Sequence, residues 1–137
     1  MTARVGGKKK PVSARQLAIA AARLAHDSHC DEVLVLDLRK QSPVTDFYVI
    51  ATGTSDRQIR SVADEIADYG KQRGYPAWHI AGEGTAEWIV LDFVDVVVHL
   101  FDDEHRHYYD LELLWGDAAR IPWMRRTAKK TDAASEE

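Results

Sequence analysis

Residues 84–115 read GTAEWIVLDFVDVVVHLFDDEHRHYYDLELLW. Two apolar runs lie inside this stretch, Trp88–Phe93 and Val96–Phe101, each of strand length and too short for a core helix. Asp92 and Asp95 stand at their inner ends, which predicts a turn at Phe93-Val94 and a hairpin around it. The run Val96-Val97-Val98 is apolar on both faces of a strand, the pattern of a central strand covered on two sides. Polar residues Asp102–His107 then open a last helix with Tyr109, Leu111, Leu113 and Leu114 as its apolar positions, ended by Gly116 and Pro122.

Upstream, Ser13 with Gln16 three residues later forms a capping-box pattern, and Leu17, Ala20, Ala21 and Leu24 continue it as an apolar stripe at helical spacing. That helix fades near His29-Cys30. Val33–Leu38 and Phe47–Thr52 are β-branched-rich and predict two strands, paired as a hairpin across the Ser42-Pro43 connection. Thr54 or Ser55 caps the next helix, whose buried face is Ile59, Val62, Ala63, Ile66 and Ala67. Gly74 and Pro76 stop it, Ala77–Ile80 predicts a third strand, and Ala81–Glu87 is a glycine-containing loop. The order α-β-β-α-β-β-β-α predicts an α/β (α+β) domain built on a single mixed sheet with flanking helices.

The chain has 137 residues, 45% of them apolar, which suits one domain with one core. We expect that domain at 13–123, between a basic tail at 1–12 and a charged tail at 124–137 that are solvated and disordered. The N-terminus has no apolar segment of the kind that directs secretion, and no stretch is long enough to span a membrane. The single cysteine, Cys30, fits a reducing cytoplasm. The net charge of −4 conceals an asymmetry: residues 13–123 carry 10 Lys/Arg against 19 Asp/Glu. An acidic body is a poor match for nucleic acid and a good one for a basic protein.

Several groups bear on chemistry. Gly53-Thr54-Ser55-Asp56 sits where backbone N–H groups at a helix start can hold a phosphate, but the glycine pattern of a phosphate loop is missing, and a capped helix is the simpler reading. Asp92 and Asp95 look like a metal-binding carboxylate pair, yet a spacing of three puts them on opposite strand faces unless the chain turns. His26, His29 and Cys30, and likewise His105 and His107, fall short of a zinc set. His99 in an apolar strand reads as a core histidine bonded to a neighbour. Ser42, Ser55 and Ser61 stand in no nucleophile motif, and Cys30 has no activator in the sequence. Four tryptophans (Trp78, Trp88, Trp115, Trp123) exceed what a small core requires. Trp78 and Trp88, beside the glycine loop, are candidates for partner contact.

The segments DLRKQSPVTDFYVIATGTSDRQ (37–58), ADEI (63–66), AGEGTAEWIVLD (81–92), DVVVHLF (95–101) and YYDLELLWGDA (108–118), in this order, resemble the ribosomal silencing factors, the Iojap family. One departure is Val94, where the family commonly has glycine. The resemblance implies a nucleotidyltransferase-like fold without the catalytic carboxylates, and a cytoplasmic, non-enzymatic translational repressor with no cofactor, no metal and no small-molecule substrate. It implies binding to the large ribosomal subunit through that subunit's fourteenth universal protein, blocking the small subunit when nutrients are scarce, and a homodimer when free. The alternative is a nucleotidyltransferase-fold enzyme acting on a nucleotide or RNA. For partner binding we single out Trp78, Glu83, Trp88, Asp92 and Asp95 on the strand-and-loop face, with Tyr109 and Glu112 on the last helix.

Overall fold

Ser13 caps the first helix, α1 (Ala14–Asp27), in both directions. Its hydroxyl accepts from the Gln16 N–H at 3.1 Å, and the Gln16 side chain accepts from the Ser13 N–H at 2.9 Å. The computed structural model describes residues 10–108 and 117–125. After α1 come β1 (Asp31–Asp37), β2 (Phe47–Gly53), α2 (Asp56–Gln72), β3 (His79–Ala81), β4 (Trp88–Asp92), β5 (Val96–Asp102), α3 (Asp103–Tyr108) and β6 (Ala119–Arg120). The expected order is extended by β6, whose two residues carry no strand pattern of their own and which exists by pairing with Leu36 and Asp37. The apolar helix expected from Tyr109 to Leu114 lies outside the described residues.

One mixed sheet runs in the order β3-β4-β5-β2-β1-β6. β2 and β5 pair in parallel and every other neighbour is antiparallel. The β1–β2 and β4–β5 hairpins form as the sequence predicts. Strand alternation sorts the sheet into two faces. Val33, Val35, Phe47, Val49, Ile89, Leu91, Val96, Val98 and Leu100 meet the buried sides of α1 and α2 in the main core. Four of the five residues that α1 buries are alanines, so this helix lies close against the strands. On the opposite face, Leu36, Leu38, Ile50 and Phe101 form a smaller cluster with Tyr48, Trp88 and Ala118 against it. Among the described residues no helix is long and apolar enough to cross a membrane.

Two turns fix the β3–β4–β5 meander. Gly82 has φ +87°, and a Cβ there would fall on the Trp88 carbonyl oxygen, so the loop can fold back onto β4 only with glycine at that place. At the β4–β5 turn, Val94 has φ +74°, held there by a bond from its N–H to the Asp92 carboxylate at 2.8 Å and flanked by Phe93 N–H to Val96 O at 2.8 Å. Left-handed backbone is costly for a β-branched residue. Val94 therefore takes up the conformation that glycine adopts freely, and the turn keeps its geometry at the expense of local strain. We predict that Val94→Gly raises stability by about 0.5–1 kcal/mol, the relief of strain exceeding the added freedom of the unfolded chain. Urea denaturation checks this, and a lowered midpoint would contradict it.

Candidate functional site

The face of the sheet opposite α1 and α2 is covered unevenly among the described residues. Near β1 the apolar cluster is closed, whereas toward the β4–β5 turn Tyr48, Val90, Asp92 and Val97 are only half-buried. Val97 thus departs from the expected fully covered central strand. A groove of about 690 Å³ opens there between the Gln41–Thr45 connection and the β4–β5 turn. Its rim is apolar: Trp78 is 75% exposed, Val44 78% and Val94 52%. The backbone N–H of Trp78 bonds to the Asp92 carbonyl at 2.7 Å, so the start of β3 fixes this indole beside Asp92. Thr45 is buried in the groove wall, and its hydroxyl finds no hydrogen-bond partner among the described residues. Its neighbour Ser42 is occupied, accepting the N–H groups of Val44 and Thr45 at 3.2 and 3.3 Å. Sequence reasoning found Trp78 and Asp92 but missed Val44 and Thr45; the one available signal was an apolar residue after Pro43 in an otherwise polar connection.

Trp88 lies at the other end of β4, facing the same side. It is half-buried, stacks on Phe101 with ring centroids 5.0 Å apart, and donates its indole N–H to His99 Nδ1 at 3.0 Å. His99 is the bonded core histidine that the sequence predicted, buried against Trp88 and against Tyr48 at 4.6 Å between ring centroids. Burial pushes its pKa down to about 4, so the ring is neutral near pH 7. With Nδ1 accepting from Trp88, the ring proton sits on Nε2, which has no hydrogen-bond partner among the described residues. The visible role of His99 is to orient the Trp88 ring.

The remaining groups separate. Asp95 does not share the groove: its carboxylate receives the Tyr75 hydroxyl at 3.4 Å, while its backbone carbonyl accepts the N–H groups of Asp46 and Phe47. Burial first, and then the Asp95 charge, raise the Tyr75 pKa. Asp92 and Asp95 therefore serve different partners across the turn, as their spacing indicates. At the start of α2 the Gln58 side chain receives the Thr54 N–H at 2.6 Å, and the Ser55 hydroxyl receives the Gln58 N–H at 3.1 Å, so two of the donors that could hold a phosphate are already engaged. Cys30 is buried, which pushes its thiol up to about 11 and keeps it protonated. His26 packs on Trp123. His105 bridges Asp102 at 2.7 Å and Glu87 at 3.6 Å, and its bond to Asp102 raises its pKa. Among the described residues no cluster of three or more such side chains can hold a metal. Glu83 is exposed at the tip of the β3–β4 loop, whose backbone is gripped by Arg60 of α2. Tyr109 and Glu112 lie outside the described residues.

The family described as ribosomal silencing factor during starvation matches residues 11–137. The chain is similar to the ribosomal silencing factor RsfS of Bacillus subtilis (strain 168), 41% identical over 98 residues that span 72% of this chain and 83% of that protein. The RsfS of Halalkalibacterium halodurans is 33% identical over 110 residues, 80% of this chain and 94% of that one. A crystal structure of a Chromobacterium violaceum protein superposes with a TM-score of 0.73 at 30% identity, over 77% of this chain and 88% of that chain.

The depressed His99 pKa fixes the sign of an acid response. An unfolded histidine titrates near 6.5 and the folded His99 near 4, so between these values the unfolded state binds more protons and stability falls as pH falls. His99→Gln can keep an acceptor for the Trp88 indole and cannot titrate. We predict that the stability of the native chain, measured relative to this variant, drops by about 3 kcal/mol between pH 7 and pH 4. Parallel pH profiles in chemical denaturation would contradict the assignment.

Proposed function

The chain belongs to the ribosomal silencing factor family, and on that premise we propose that it represses translation by binding the large ribosomal subunit and obstructing the approach of the small one. The partner on the subunit is a basic protein at the joining face, the fourteenth universal protein in our reading. No bond is made or broken. A folded body seated on that face occludes the second subunit by its volume, and affinity for one surface is all the mechanism needs.

The observation that carries this reading is the exposed Trp78 at the lip of the apolar groove, in a body with nine more acidic than basic residues over positions 13–123. Contiguous apolar surface on a soluble domain marks contact with something else, and a large indole at its edge has the character of a binding anchor. Acidic surroundings speed encounter with a basic target, and the desolvated indole then holds the complex. Trp78 and Asp92 act together at the groove. Glu83 contributes charge from the far end of the β3–β4 hairpin, and Trp88 supports the face from beneath through Phe101 and His99. Tyr109 and Glu112, outside the described residues, are proposed as further partner contacts. When no subunit is present, two copies of the chain associate as a dimer. The enzyme alternative has less support, because Gln58 engages part of the helix start that could receive a phosphate, and Asp92 and Asp95 diverge.

Co-sedimentation with purified large subunits tests the reading. We predict binding at low salt that weakens as ionic strength rises, because the attraction is between opposite surface charges. Trp78→Ala is expected to cost about 2–4 kcal/mol of binding while leaving the melting temperature nearly unchanged, since the side chain is mostly in solvent. Large subunits that sediment without the protein at low salt would sink the proposal. Unaltered affinity of a folded Trp78→Ala variant would remove Trp78 from the interface.

A further inference from the structure

The 82–87 loop is exposed at its tip yet tied to the rest of the fold at several points. Glu83, Gly84 and Thr85 are all exposed, and a Cβ added at Gly84 would meet nothing within 4 Å. Ordering exposed backbone costs conformational entropy that a buried tip would offset and this one does not. Four contacts hold the loop nonetheless. Gly82 packs on the Trp88 carbonyl, Ala86 is buried at φ +58° and donates to the Gly82 carbonyl at 3.1 Å, and the Glu87 carbonyl receives the Asp102 N–H at 3.0 Å. The fourth comes from outside the sheet: Arg60 of α2 donates from Nε to the Glu83 carbonyl at 3.0 Å and from a terminal guanidinium nitrogen to the Gly84 carbonyl at 3.0 Å. One planar fork thus fixes two successive peptide groups at the tip, a geometry that lysine cannot reproduce.

Resting on the docking reading above, we propose that Arg60 is a positioning residue for ribosome binding: its guanidinium locks the 82–87 loop in one conformation and so presents the Glu83 carboxylate to a basic partner. The arginine acts on its own chain's backbone and makes no contact with the partner. Its charge gives the proposal a discriminating sign. On an acidic surface facing a basic target, removing a cation strengthens attraction by charge alone. Releasing the loop has the opposite effect, because only the fraction of molecules with the loop in place can bind.

The test measures large-subunit affinity for the native protein, Arg60→Ala, Arg60→Lys, Glu83→Ala and the Arg60→Ala/Glu83→Ala double variant, together with amide hydrogen exchange at Ala86. We expect Arg60→Ala to bind about 5–10-fold more weakly, as when only a tenth to a fifth of molecules hold the loop in place. Arg60→Lys should fall in between. The Ala86 amide should exchange faster, and the effect of Arg60→Ala should vanish in the Glu83→Ala background. Unchanged or tighter binding by Arg60→Ala overturns the proposal. So does a loss of equal size with and without Glu83, which would mean that Arg60 touches the ribosome directly. If the native protein itself fails to bind, the docking reading falls, and this proposal with it.

Discussion

Seven residue pairs, from Phe47–Val96 to Gly53–Asp102, join β2 to β5 in parallel inside the sheet. Parallel neighbours need a long return path. Here it is α2 followed by the β3–β4 hairpin. That one pairing commits α2 to a face of the sheet, sends the hairpin to the far side of β5, and leaves β5 hydrogen-bonded on both edges. On the helix side of that strand Val96, Val98 and Leu100 are buried, while Val97 on the other side is half-buried at the groove. α1 completes the same layer by laying a nearly all-alanine face on the strands.

The two long helices share one face of the sheet, and the proposed partner surface lies on the other. Its aromatic cluster closes the end near Trp88, where His99, neutral and buried, receives the indole N–H. Its other end, toward Val94, stays open as the groove beside Trp78. The strained turn at Val94 and the glycine at position 82 set the two ends of β4, and so set the separation between the groove and the acidic loop tip. Fold and candidate surface are thus two consequences of one topology.

Much of this could be read from the chain. The capping box at Ser13, the 3.6-residue stripe on α2 and the paired apolar runs around Asp92 and Asp95 are local patterns, and each formed the element it predicts. His99 could be read as a core residue because an imidazole in a valine-rich strand must either be bonded or be costly. What escaped was non-local. β6 consists of two residues whose only strand-like property is their partner in β1. The grip of Arg60 on Glu83 and Gly84 spans more than twenty positions, and an exposed arginine on a helix gives no hint of it. The groove is built from the Gln41–Thr45 connection and two turns, and pattern reasoning treats connections as mere spacers. Trp78, expected inside a strand over Ala77–Ile80, lies just before the observed one, which begins at His79, and its N–H bonds to the Asp92 carbonyl.

If a folded domain occludes one ribosomal surface, as proposed, the joining of the two subunits reports it. Light scattering on mixing separated subunits reports the joined particle as it forms. With the large subunit pre-incubated with this protein, the account predicts a joining signal that falls with protein concentration and is lost once one copy is bound per large subunit. Full joining on large subunits shown to be saturated with the protein would contradict it.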